Sequence, residues 1–138
     1  MSKKLGEEKV YEFRRSWDLR PEPLDKKSNL HPLNIETYKD IPVNEIPDTE
    51  SLKDTYVRVT NYFNSEIKDK IKNGNILISA HGNSIRALCK YLFKLNEKQI
   101  SKLEIPTGNP LLIDIDENQN IKSCKYLDQK RAKDLLVY

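Results

Sequence analysis

Ile76-Leu77-Ile78-Ser79-Ala80 is a short, nearly unbroken apolar run, and it ends at once in His81-Gly82-Asn83-Ser84. Beyond that quartet, Ile85, Leu88, Cys89 and Leu92 recur at the spacing of an amphipathic helix. An apolar run of this length that opens into a helix reads as a buried parallel strand. A strand, a tight connection and a helix in that order point to an α/β fold.

The rest of the chain fits that class. Residues 6–17 predict a helix, with Val10, Phe13 and Trp17 on one face. The stretch 19–48 holds Pro21, Pro23, Pro32, Pro42 and Pro47 and shows no sustained period. Prolines at those positions prevent a continuous helix or a central strand, so a long loop is expected. From Glu50 to Lys72 the period is helical again, through Leu52, Tyr56, Val59, Phe63, Ile67 and Ile71. Asp48 or Thr49 is the expected cap, and Asn73-Gly74 the stop. Asn96 and Gln99 suit a capping box for a short helix over 97–104. Pro106–Pro110 is a turn cluster, and Leu111–Ile115 and Ile121–Leu127 read as two strands joined by Asp116–Asn120. Residues 128–136 predict a last helix. The whole is one domain in length, without internal repeat.

Charge narrows the partners. The 24 basic and 21 acidic residues leave a net charge of +3 over 138 residues. A near-balanced mixture favours a small anionic ligand; a nucleic-acid footprint needs a segregated basic face. Cys89 and Cys124 show no metal-ligand spacing and read as buried free thiols of a reducing compartment. No stretch approaches the ~20 apolar residues of a membrane span. The start, Met1-Ser2-Lys3-Lys4, leads into charge and not into an apolar signal core. A soluble, cytoplasmic protein is expected, with neither membrane nor nucleic acid as partner.

Chemistry concentrates at two places. The end of a strand that opens into a helix N-terminus presents unpaired N–H groups and the positive end of the helix dipole, which suit an anion. There Gly82 allows close approach, Asn83 or Ser84 can cap or donate, and His81 stands at the strand's carboxyl edge. The same residues also describe an ordinary cap with an incidental histidine. Arg14-Arg15 offers two guanidinium forks for phosphate or carboxylate oxygens, although such a doublet also occurs on solvated helix faces. Lys4 is a weaker candidate. His31, between Leu30 and Pro32, reads as an ordinary surface residue.

Several stretches, in this order and spacing, resemble the 2,3-bisphosphoglycerate-dependent phosphoglycerate mutases, a branch of the histidine phosphatase superfamily. They are Lys4-Leu5-Gly6-Glu7-Glu8, Arg14-Arg15-Ser16-Trp17-Asp18 with prolines after it, Leu52, Ile78 through Ser84, and Ile105-Pro106-Thr107-Gly108. The histidine motif alone marks the superfamily, and the arginine doublet with its proline-rich insertion points to the mutases. The resemblance implies the C-terminal part of a three-layer αβα fold that lacks its first strands, the central one included. It implies that His81 is the second active-site histidine, which stabilises the phosphoryl group in transfer. Gly82 and Asn83 are implied donors to phosphate or substrate. Arg14 and Arg15 are implied to grip carboxylate and phosphate, and Lys4 to add a substrate contact. The implied cofactor is 2,3-bisphosphoglycerate, with no metal.

The same resemblance implies an absence. The family's Arg-His-Gly strand, whose histidine becomes phosphohistidine, and its acid/base glutamate have no counterpart here. His31 has no such context. Three readings follow: a mutase fragment without turnover, one half of an enzyme completed in trans by an N-terminal half, or a non-catalytic phosphate-binding or interaction module. A fold that lacks its central strand also leaves apolar strand edges, so a homo-oligomer is expected. Phosphoglycerate or phosphate is expected to bind only weakly.

Overall fold

The computed structural model describes residues 6–132. It contains two compact units, one running to Asp54 and the other beginning at Thr55.

The first unit opens with α1, Glu7–Arg15, which has glutamates in its first turn and arginines in its last, the arrangement that complements the helix dipole. The helix stops two residues short of the sequence reading because Ser16 turns extended (ψ 155°). Its Val10–Phe13 face is only half-buried. The proline-rich segment is ordered by three 3-10 turns, at Pro32–Asn34, Glu36–Tyr38 and Val43–Glu45.

His31 holds that segment, contrary to its reading as a surface residue. Its side chain is 0% exposed. Nδ1 accepts from the Leu33 amide at 3.2 Å, while Nε2 lies 3.1 Å from the Asp48 carboxylate. With Nδ1 accepting, the ring proton sits on Nε2 and is donated to Asp48. The segment before it runs antiparallel to residues 48–54. Trp17 O accepts from Lys53 N, Pro21 O from the Thr49 hydroxyl, and Leu24 N donates to Asp48 O. Arg20 grips Asp54 through both arms of its guanidinium.

Helix α2, Leu52–Tyr62, begins at a capping box, with the cap at a different residue from the one expected. Ser51, not Asp48 or Thr49, is the cap: its hydroxyl accepts from the Asp54 amide, and the Asp54 carboxylate accepts from the Ser51 amide at 2.8 Å. The expected helix to Lys72 does not continue as one α-helix. Phe63–Ile67 widens into a π turn, with Lys68 N donating to Phe63 O, before a 3-10 turn at Lys70–Asn73 and a stop at Gly74, φ 147°. The Asn64 side chain donates to the Thr60 carbonyl at 2.9 Å, competing for the acceptor of the regular ladder at that point.

In the second unit α3, Gly82–Leu92, and α4, Glu97–Lys102, precede an antiparallel hairpin of β1, Leu111–Ile115, and β2, Ile121–Tyr126. The Asn96–Gln99 capping box forms as read. Buried Asn109 fastens the hairpin's open end by a reciprocal pair of bonds to the Asp128 backbone, at 2.8 and 2.9 Å. Ala87, Cys89, Phe93, Leu95, Ile100, Leu103, Cys124 and Tyr126 are buried. Burial pushes the Cys89 thiol up to about 12, and the neighbouring Cys124 adds to the shift. Both thiols are free. Tyr91 meets Phe63 edge-on, with ring centroids 5.9 Å apart.

The largest departure from the sequence reading is Ile76–Ala80. It is neither a strand nor buried: residues 75–80 carry no regular structure and all are exposed, Leu77 by 91%. The hairpin is the only sheet among the described residues. The elements are those of a partial α/β fold, without a strand beside the apolar run. The expected helix over 128–136 is reduced to a 3-10 turn at Gln129–Arg131, bounded by Asp128 and Ala132, and residues 133–136 lie outside the described residues. No described helix is long and apolar enough to cross a membrane.

Asp54 makes the first unit acid-sensitive. The bond from Arg20, then those from Ser51, hold its carboxyl well below the usual range. A carboxylate depressed in the folded state stabilises above its unfolded pKa, ~3.9, and that stability drains away as pH falls below it. Solvent around the half-exposed Arg20 limits the effect. Asp54→Asn should cost about 1 kcal/mol at neutral pH through the weakened cap. The gap from wild type should narrow progressively as pH falls from about 4 toward the depressed folded pKa, read by fluorescence of Trp17, the single tryptophan.

Candidate functional site

His81, Gly82 and Asn83 lie together at the start of α3. His81 is extended (φ −62°, ψ 146°) and is itself the N-cap, in place of the expected Asn83 or Ser84. Its Nδ1 accepts from the Asn83 amide at 3.3 Å. In the neutral ring that assignment leaves the proton on Nε2, and the exposed imidazole offers that N–H as a donor to solvent or ligand. A Cβ at Gly82 would meet no atom within 4 Å, so packing does not demand glycine there and the backbone is open to approach.

Asn83 adds a second donor. Its Oδ1 accepts from the Arg86 guanidinium at 3.1 Å, which leaves the exposed side-chain NH2 to donate outward. Arg86 is 4% exposed and also donates to the Ile100 carbonyl of α4 at 2.7 Å. Arg86 was not singled out in the sequence, although a signal was there. It occupies the same helical face as buried Cys89 and Phe93, where a charge is out of place. The geometry can bind an anion by neutral donors at a helix N-terminus.

Arg14 and Arg15 belong to the first unit, in the last turn of α1. Arg15 stacks over the Tyr11 ring, 5.8 Å from its centroid. Together with Glu7 and Val10 these residues line a shallow open depression. Successive helical positions point ~100° apart, so the two guanidiniums leave the helix in different directions. Lys4 lies outside the described residues.

Comparison with known proteins agrees with the motif. The profile of the histidine phosphatase superfamily (branch 1) matches residues 22–125. The chain belongs to that superfamily. Among its relatives is a 2,3-bisphosphoglycerate-dependent phosphoglycerate mutase of Pelagibacter ubique, 66% identical across 100% of this chain and 58% of its own length. Enzymes of the same name from Maricaulis maris and Borreliella burgdorferi are 47% and 44% identical, over 96% and 94% of this chain and 55% and 53% of theirs. The chain thus spans about half the length of these relatives.

Two substitutions separate the capping side of His81 from its solvent-facing side. His81→Ala removes the cap and should cost about 1 kcal/mol in thermal unfolding. His81→Asn can still accept from the Asn83 amide but has lost the imidazole Nε2–H. Its stability should fall within a few tenths of a kcal/mol of wild type. Equal destabilisation by both would show that the ring does more for the fold than cap α3.

Proposed function

We propose that this chain is part of a 2,3-bisphosphoglycerate-dependent phosphoglycerate mutase, the enzyme that interconverts 3- and 2-phosphoglycerate through a phosphohistidine. It carries substrate-binding groups of that enzyme and does not turn over by itself. The observation that carries the reading is the Nε2–H of His81 beside Gly82 and Asn83 at a helix N-terminus, in a chain so similar to such mutases.

Phosphoryl transfer is accelerated mainly by positioned donors and positive charge around a loose transition state. His81 and Asn83 supply donors, the start of α3 supplies the dipole, and Arg14, Arg15 and Lys4 supply charge for carboxylate and phosphate. A covalent route needs in addition a nucleophile with a free lone pair. His31 is sealed inside the first unit with both ring nitrogens engaged. On His81 the lone pair lies on Nδ1 and serves the cap, while the exposed nitrogen carries the proton. The 2,3-bisphosphoglycerate cofactor would then phosphorylate a histidine outside this chain.

Completion by the rest of a mutase chain, joined to this one or supplied in trans, is favoured over an isolated phosphate-binding module by the exposure of Ile76–Ala80. An apolar run in water is a face awaiting cover. A second copy of this chain is the other polypeptide able to cover it.

Titration with 3-phosphoglycerate should give weak binding, millimolar or poorer, further weakened in His81→Asn and in Arg14→Ala. Radiolabelled 2,3-bisphosphoglycerate should leave no phosphoenzyme. Labelling of a histidine in this chain, or binding indifferent to both substitutions, would overturn the reading.

A further inference from the structure

Arg86 combines two features that rarely coincide: a guanidinium almost wholly withdrawn from water, and a contact with an exposed side chain of the candidate site. Its NH1 donates to Asn83 Oδ1 at 3.1 Å and its NH2 to the Ile100 carbonyl at 2.7 Å. Asn83 and Arg86 are three positions apart on α3, so their side chains share one face. Ile100 is fully buried in α4. Arg86 therefore spans from the core of the unit to its ligand-facing surface.

The chemistry of the two groups decides what this contact does. An amide side chain can present either its oxygen or its NH2, and the two orientations differ little in shape. Arginine has five N–H donors and no acceptor, so only the oxygen of Asn83 can face it. Buried glutamine, serine or histidine at position 86 could donate or accept, and would leave the amide free to turn. The Ile100 carbonyl anchors the other arm of the fork, so the guanidinium itself has little freedom to turn.

We propose that Arg86 is a positioning residue which locks the Asn83 amide with its oxygen inward, so that its NH2 is presented to a bound phosphate or carboxylate oxygen. The inference rests on the anion-binding reading of His81–Asn83 and deepens it. The lock matters because a turned amide would aim its oxygen at an anion and repel it. The bond to a guanidinium also polarises the amide, which strengthens its N–H groups as donors.

The test measures 3-phosphoglycerate affinity by NMR titration of the purified chain, with thermal unfolding of each variant alongside. Arg86→Lys keeps a donor-only cation, while Arg86→Gln introduces a group that both donates and accepts. Arg86→Gln should weaken binding by about tenfold, the size of one charge-assisted hydrogen bond. Arg86→Lys should weaken it by no more than about threefold. Equal losses in the two variants at equal unfolding temperature would show that Arg86 is only structural. Should either variant fail to fold, Asn83→Asp decides. It keeps a partner for Arg86 and nearly the same shape but has no N–H, and should fold as wild type while losing binding. Wild-type affinity in Asn83→Asp would overturn the proposal. If the wild-type chain binds nothing, the function reading fails first; if His81→Asn abolishes binding and Arg86→Gln leaves it intact, only the Arg86 inference fails.

Discussion

A strand is stable only when the backbone groups along its edges find partners, and Ile76–Ala80 finds none among the described residues. Isoleucine, leucine and isoleucine in succession fit a sheet covered on both faces. Here Leu77 is almost fully exposed, while Ile76 and Ile78 are exposed by 39% and 38%. Much else in the second unit follows. The two-stranded hairpin is marginal by itself and is held by the Asn109–Asp128 clasp and by the burial of Cys124 and Tyr126. Helix α3 keeps its core-facing residues buried and begins where the apolar run ends, so the candidate site is formed although the strand leading into it is not.

Both histidines solve the same local problem. A helix or 3-10 turn begins with amides that lack intrahelical acceptors, and at Pro32–Asn34 and at Gly82–Leu92 a ring Nδ1 supplies one. Their surroundings give the rings different consequences. His31 is enclosed and hands its remaining proton to Asp48, which makes it a fastener for the proline-rich segment. His81 keeps its remaining N–H at the surface, exposed as a hydrogen-bond donor. The cap favours the Nε2–H tautomer of the neutral ring, in which the exposed nitrogen is a donor.

Local signals were legible in the sequence wherever the cause was local. The Asn96–Gln99 capping box, the hairpin strands and the helical period after Ser84 needed only near neighbours, and all are present. The reading went astray where the outcome depended on distant residues. His31 between Leu30 and Pro32 gave no hint of Asp48, seventeen positions away, with which its buried ring pairs. The wide turn after Tyr62 arises from Asn64, whose amide also meets the Tyr91 hydroxyl of α3. Composition announced a buried strand at 76–80, but burial needs neighbouring strands, and this stretch has none among the described residues. At the site, the motif gave His81, Gly82 and Asn83, while Arg86 was hidden because its importance lies in a contact and not in a pattern.

The central claim is that this chain holds a preformed, solvent-facing helix start next to an apolar segment with no strand partner among the described residues. Hydrogen–deuterium exchange of the purified chain at low micromolar concentration tests it directly. Amides of residues 76–80 should exchange at nearly the rate of an unstructured peptide, while those in the interior of α3, from Ile85 onward, are protected by their helical bonds. Strong protection of Ile76–Ala80, equal to that of α3, would mean that the segment is paired after all and would contradict the account.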